Sequence, residues 1–252
     1  VGVEQVAVAS VILPWASAWR ANAGWTIRHA LAWAAAAWLG WMTFAVWPGR
    51  ETAWAAVTLT AGAGIAVLGT RRPVVYVWHF LVASLMVVLW LGQAEGLLDG
   101  SGLKIGPFRL IFVGTLLAVG LGNYLPTRFG ASAVALGVAV TALIHSEALW
   151  PKVAGPAPAW PALTAAGASW AAWLIGLRPA GGEWPAFRDR YGVVWAVRLR
   201  EQFDAAAENR GWPVRLRWRG LTADGGPHDA AWHHALQALM KRFRTTGAID
   251  PD

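Results

Sequence analysis

The sequence predicts an all-α polytopic membrane protein of six transmembrane helices, followed by a small α/β tail of helix–strand–helix type. Three observations predict it. Of 252 residues, 56% are hydrophobic and only 14% charged, where soluble domains carry roughly 25% charged residues. Six charge-free runs, 29–49, 52–70, 73–94, 110–127, 129–146 and 153–177, are 21, 19, 22, 18, 18 and 25 residues long. Beyond residue 177 the longest such run is 11 residues, Ala230 to Met240. A helix rises about 1.5 Å per residue, so ~20 apolar residues cross a hydrocarbon core of ~30 Å. The expected domains are 1–28, the six-helix region 29–177, and the tail 178–252. The spans fall near 29–48, 52–70, 73–93, 108–125, 129–146 and 159–177.

Residues 1–28 admit two readings. Gln5 to Trp19 is charge-free for 15 residues and contains Pro14, which is short for a crossing. A secretory signal carries its positive charge before the apolar stretch, whereas here Glu4 precedes it and Arg20 follows. An interfacial helix and a short seventh span both remain open.

Basic residues orient the chain. With the tail inside, the inner turns carry Arg20, Arg28, Arg71, Arg72 and Arg128 without an acid. The outer loops mix Arg50, Lys104, Arg109 and Lys152 with Glu51, Glu95, Asp99 and Glu147. The tail adds twelve basic residues on the inner side. The expected location is therefore a bacterial inner membrane, with a cytoplasmic C-terminus.

Small residues four apart allow close helix approach: Gly62 and Ala66, Ala133 and Gly137, Ala168 and Ala172, with Gly114, Gly120 and Gly122 in span four. Trp19, Trp25, Trp47, Trp54, Trp150 and Trp160 lie at span ends, as in an aromatic belt. The deeper Trp33, Trp38, Trp41, Trp170 and Trp173 are expected to supply bulk.

Intramembrane ionisable groups mark functional candidates, and no Asp, Glu, Lys or Arg lies inside the six runs. That counts against an ion-coupled carrier. His29 and His79 fall at similar depth near the inner side, in one layer with Tyr76, Asn123 and Tyr124. They are the candidate cofactor ligands, for haem or for a quinone headgroup, although no cofactor is the main expectation. With no Cys, thiolate metal sites, iron–sulfur clusters and a Cys nucleophile are excluded. No Gly-x-Ser-x-Gly elbow, His-Glu-x-x-His zinc helix or phosphate-binding Gly loop occurs, so no catalytic residue is nominated.

In the tail, Phe187, Tyr191, Val194 or Trp195, Leu199 and Phe203 recur every three to four residues, an amphipathic helix with Pro185 near its start and Gly211 closing it. Val214 to Arg219 alternates strictly, placing Val214, Leu216 and Trp218 on one strand face and Arg215, Arg217 and Arg219 on the other. Asp224-Gly-Gly-Pro signals a turn, and Asp229 is placed to cap a second helix whose face is Trp232, Leu236, Leu239 or Met240, and Phe243. One strand cannot form a sheet alone. A second strand, a partner, or a membrane-lying segment would complete it. His228, His233 and His234 lack metal-site spacing, so no metal is expected.

The function expected from these patterns is a non-catalytic membrane scaffold or complex subunit. Its tail docks a protein partner or anionic lipid through Arg215, Arg217, Arg219, Trp195 and Trp232. Twelve basic against nine acidic tail residues is too balanced for a nucleic-acid face. Two other classes stay in view: a haem- or quinone-binding redox subunit, and a facilitator for a small neutral solute lined by Thr58, Thr60, Ser84 and Asn123.

Overall fold

The computed structural model describes residues 2–71, 73–98, 105–149, 159–223 and 230–245. Among the described residues, eight α-helices precede the tail: α1 (Val3–Ser10), α2 (Ile12–Ala21), α3 (Arg28–Val46), α4 (Arg50–Ala66, prolonged by a 3-10 turn Val67–Gly69), α5 (Val75–Leu98), α6 (Pro107–Gly122), α7 (Gly130–Leu149) and α8 (Trp160–Gly176). The tail holds α9 (Glu183–Asn209), strands β1 (Val214–Arg217) and β2 (Gly220–Ala223), and α10 (Ala230–Met240) with a 3-10 turn Lys241–Phe243. The chain is mostly helical with one small sheet. Among the described residues, only Arg28–Val46 and Arg50–Gly69 are long and apolar enough to cross a membrane; Val75–Leu91, Pro107–Gly122 and Gly130–His145 are shorter apolar helices.

Helix α4 is the axis of the bundle, packing on α3, α5, α6 and α7. Its sequence explains this position. Ala53, Ala56, Ala61, Gly62 and Ala66 are buried on it, and small side chains let several backbones approach at once. At the crossing with α6, a Cβ on Gly64 would lie 3.0 Å from the Cα of Gly120. Across α3, a Cβ on Gly40 would lie 3.2 Å from the Cα of Ala56. Thr58 and Thr60 donate their hydroxyls to the carbonyls of Trp54 and Ala56, one turn earlier.

The deep Trp33, Trp38, Trp41 and Trp170 pack in or against the core as expected of bulk, and they also form hydrogen bonds. Trp41 Nε1–H donates to Thr60 Oγ1, Trp38 to the Val8 carbonyl, and Trp170 to Ser10 Oγ. An indole supplies one donor on a rigid apolar plate, so each staples two helices without leaving a buried polar atom unpaired. Trp173 Nε1 has no such partner among the described residues.

The N-terminal pair runs antiparallel along α3. Gln5 Nε2 donates to the Ala45 carbonyl at one end, and Trp15 Nε1 to the Leu31 carbonyl at the other. Val8 is buried in the bundle core. The segment therefore lines the bundle rather than lying across its end.

In the tail, β1 and β2 pair antiparallel in the register Val214–Ala223 to Arg217–Gly220, so the second strand lies within the chain. Helix α9 closes as expected. Gly211 has φ +65°, its N–H reaches the Glu208 carbonyl and that of Trp212 reaches Ala207, the paired bonds of a glycine-terminated helix. It is not continuous, however: Gly192 breaks it with φ +80° and ψ −175°. The turn at Asp224, the capping Asp229, His228, Arg72, Lys104, Lys152 and Trp150 lie outside the described residues.

The tail has no core of its own. Trp184, Phe187, Tyr191, Trp195, Leu199, Phe203, Val214, Leu216, Trp232, Leu236, Met240 and Phe243 share one apolar cluster with Ile27, Ala30, Ala66 and Val67 of the bundle.

Candidate functional site

One short stretch of α9, residues 188–195, gathers the bundle connections at that end. Arg190 Nε donates to Asn22 Oδ1 in the α2–α3 loop, and Trp195 Nε1 to the Val67 carbonyl after α4. At the α6–α7 loop, Arg128 contacts Asp189 and donates from Nη1 to the Arg178 carbonyl that follows α8.

The helix break at Gly192 is what lets α9 fit there. A break strands N–H groups on its C-terminal side and carbonyls on its N-terminal side. Asn123, capping α6, takes both. Its carbonyl accepts Val193 N–H at 2.8 Å, its Oδ1 accepts Val194 N–H at 2.9 Å, and its Nδ2 donates to the Tyr191 carbonyl at 3.1 Å. Tyr124 Oη donates to the next carbonyl, Arg190, at 3.2 Å. Asn123 is 2% exposed, so these bonds form away from water.

Two buried polar features flank the break. Asp189, 2% exposed, accepts Arg188 Nε and Nη2 at 3.0 and 2.8 Å on Oδ1. Arg128 Nε lies 3.1 Å from its Oδ2 as an ion pair without hydrogen-bond alignment. On the other side, Tyr191 Oη donates to the Phe243 carbonyl and meets Thr26 Oγ1. Burial pushes the Tyr191 phenol up to about 12, against the opposing Thr26 hydrogen bond and Arg190 charge. Thr26 N–H also donates to Phe243 O, and Trp25 pairs with Arg244 as an isolated bridge, stitching the end of the tail to the start of α3.

The predicted site residues separate into three groups. His29 and His79 do come together, with ring centroids 5.4 Å apart, and Tyr76 sits 5.3 Å from His29. Trp33 Nε1–H donates to His79 Nδ1 at 3.1 Å. An indole cannot accept, so Nδ1 presents its lone pair and the neutral ring carries its proton on Nε2. Haem ligation through that nitrogen would require the ring proton to move to Nδ1 and the Trp33 hydrogen bond to break, which counts against the haem reading. Among the described residues no group of three or more His, Asp or Glu could hold a metal.

Arg215, Arg217 and Arg219 are exposed, alternating with buried Val214 and Leu216 and half-buried Trp218. The first two line a shallow groove with Arg200, Glu201, Asp204 and Glu208 of α9. Trp195 and Trp232 are 6% and 4% exposed. They pack inside the shared core, so they are packing residues and not the docking residues expected. Of the side chains expected to line a solute path, Thr58 and Thr60 are buried and accept the Trp90 and Trp41 indoles, and Asn123 is committed to α9.

Neither the Asn123–Gly192 pair nor Asp189 shows in residue spacing. The one available signal was a polar pair, Asn123-Tyr124, directly after an apolar run. No family model matches the chain, and neither curated proteins nor solved structures gave a match.

Proposed function

We propose that the chain is a multi-pass integral membrane protein acting as a non-catalytic scaffold or complex subunit, with a cytoplasmic tail fixed beneath the helix bundle. One observation carries the reading. Every exposed large hydrophobic side chain among the described residues lies between Val3 and Leu177, from Val6, Leu13 and Leu39 through Phe80, Val88, Phe108 and Ile111 to Leu174. Thr58, Thr60, Asn123 and Ser132 are buried over the same stretch. Polar inside and apolar outside suits hydrocarbon, and so large an apolar surface is rare on soluble monomers. The tail, with its apolar residues inside, suits water.

On this reading α1 and α2 together form a seventh crossing antiparallel to α3. Arg20 and Arg28, at the facing ends of α2 and α3, and Arg128 in the α6–α7 loop lie at the end of the bundle that α9 meets, the arrangement expected on the cytoplasmic side. The exposed row Arg215, Arg217 and Arg219 is the docking face. Its carboxylate neighbours on α9 give the groove mixed charge, which favours a protein partner over a lipid surface.

Because the tail shares its core with the bundle, deleting it would disturb both. The sharper test substitutes Arg215, Arg217 and Arg219 together by Gln. The wild type should resist carbonate extraction and co-purify with a stoichiometric partner in mild detergent, and the triple variant should remain membrane-bound and lose that partner. Extraction by carbonate, a wild type that purifies alone, or a partner retained by the triple variant would overturn the proposal.

A further inference from the structure

The tail sheet has two edges, and the chain closes one of them. In an antiparallel pair, opposed residues alternate between those that exchange backbone hydrogen bonds and those whose N–H and C=O groups point away from the other strand. The register across the turn Trp218-Arg219 puts Arg217–Gly220 and Arg215–Thr222 in the first class, and Leu216–Leu221 and Val214–Ala223 in the second. Two bonds fix this phase. The Thr222 hydroxyl donates to the inward Arg215 carbonyl at 3.3 Å, and the outward Leu216 N–H donates to Asp204 Oδ1 of α9 at 2.8 Å. Val214 N–H is taken by the Trp212 carbonyl at 2.8 Å. The edge of β1 is thereby closed.

The edge of β2 is open. Leu221 and Ala223 each turn one N–H and one C=O away from β1, and among the described residues no hydrogen bond reaches them from beyond it. Natural sheets block such an edge with charged side chains, proline or a bulge. The run Gly220-Leu-Thr-Ala223 has no charge and no proline, and its register is unbroken. Leu221 and Ala223 pack against the tail core, while Thr222 between them is exposed. The edge is therefore held in place before anything pairs with it, which lowers the ordering cost of pairing.

The spacing of the outward groups selects the occupant. Leu221 and Ala223 flank Thr222 symmetrically. A second β2 turned end for end about Thr222 offers its Ala223 to Leu221 and its Leu221 to Ala223, so every outward N–H meets an outward C=O. Thr222 then faces its own copy on the axis, a favourable cross-strand pair with no charges opposed. A contact in which residue i meets j and j meets i closes a dimer.

We propose that the chain self-associates through β2, forming a four-stranded β1–β2–β2–β1 sheet across a two-fold axis at Thr222. The contact uses backbone groups of β2 and none of the docking arginines, so it stands apart from the docking function proposed above.

The sequence contains no cysteine, so one introduced thiol reports the geometry in the full chain purified in mild detergent. Thr222→Cys should form a disulfide-linked dimer on mild oxidation, since Cα atoms opposed at about 4.5 Å lie within disulfide reach. Arg215→Cys, opposite Thr222 on β1, should not. Three strand spacings, about 14 Å, would separate it from its copy. Ala223→Pro removes one outward donor from each copy and spares the bonds to β1. It should weaken the dimer about thirtyfold by native mass spectrometry, the effect of losing two hydrogen bonds, and should suppress the Thr222→Cys crosslink. If the proline variant loses its cooperative thermal transition, Thr222→Lys takes its place: it keeps the backbone, sets like charges on the axis and should be monomeric. Three results overturn the proposal: a Thr222→Cys thiol that reacts with maleimide yet stays monomeric on oxidation, an Arg215→Cys variant that crosslinks as readily, or a dimer unchanged by both Ala223→Pro and Thr222→Lys.

Discussion

Asn123 occupies the space that a side chain at Gly192 would need: a Cβ there would fall onto the Asn123 amide. The same amide supplies the hydrogen bonds that the helix loses at Gly192. Break and splint are therefore one device, shared between residues 69 positions apart in sequence.

Gly192→Ala should destabilise the fold by about 2 kcal/mol or more, because φ is +80° and strained backbone costs about 1–3 kcal/mol before any clash. Asn123→Ala leaves the Val194 N–H and the Tyr191 carbonyl unpaired, at about 1–3 kcal/mol each. The double variant should cost less than the two single losses added, since removing the amide relieves the clash. Thermal unfolding of the four proteins in one detergent gives the coupling. Strict additivity would show that the two residues do not act together.

Asp189→Asn tests the charge centre between Arg128 and Arg188. Removing one partner of a buried ion pair leaves uncompensated charge, typically a loss of about 3–5 kcal/mol. With Arg128 27% exposed, water screens part of this, and about 2 kcal/mol is expected. Hydrogen exchange should rise first in residues 183–191, where α9 meets the α6–α7 loop. A variant as stable as wild type would show that water already serves the two arginines.

The Tyr191 phenol gives a pH signature. Its pKa is raised from the ordinary value of about 10 to about 12, so between these values the unfolded chain gives up its proton before the folded chain does. Stability is fully present below pH 10 and falls as pH rises toward 12, by about 1.4 kcal/mol at the first unit. Tyr191→Phe lacks this group and the bond to Phe243. It should be less stable at neutral pH, and the gap to wild type should narrow above pH 10. A constant gap from pH 8 to 11 would contradict the buried, protonated phenol.

The sequence carried the helices and the tail faces legibly, for a physical reason. Charge-free length and three-to-four-residue periodicity are local, so α3 to α8 lie where the uncharged runs are, and Phe187, Tyr191, Leu199 and Phe203 are buried as their spacing requires. The Gly192 break was illegible because glycine in an amphipathic run looks like a tolerated residue until Asn123 arrives from another helix. Strand β2 was missed because Gly-Leu-Thr-Ala is too short to show alternation. Trp195 and Trp232 were misjudged since an amphipathic tail does not reveal whether its apolar face meets a partner or the chain itself. The rings of His29 and His79 lie side by side, but the proton position that decides their chemistry depends on Trp33, which their spacing does not show.

The last prediction separates packing glycines from idle ones on a single helix. Gly114, Gly120 and Gly122 of α6 look equivalent in sequence, yet only Gly120 meets a neighbour: a Cβ there would lie 2.7 Å from the Cα of Gly64, and the other two have nothing within 4 Å. Backbone cannot rotate aside as a side chain can, so Gly120→Val must push α6 away from α4, the bundle axis. Overpacking of this kind costs about 3 kcal/mol, and the variant should lose its sharp thermal transition and aggregate on gel filtration. Gly114→Val should retain both, since its new side chain enters open space and a glycine in mid-helix was itself unfavourable by about 1 kcal/mol. If both substitutions were tolerated, α4 and α6 would have to be held apart by something other than the contact of these two glycines. If both were fatal, the outward face of Gly114 would have to be covered by another chain.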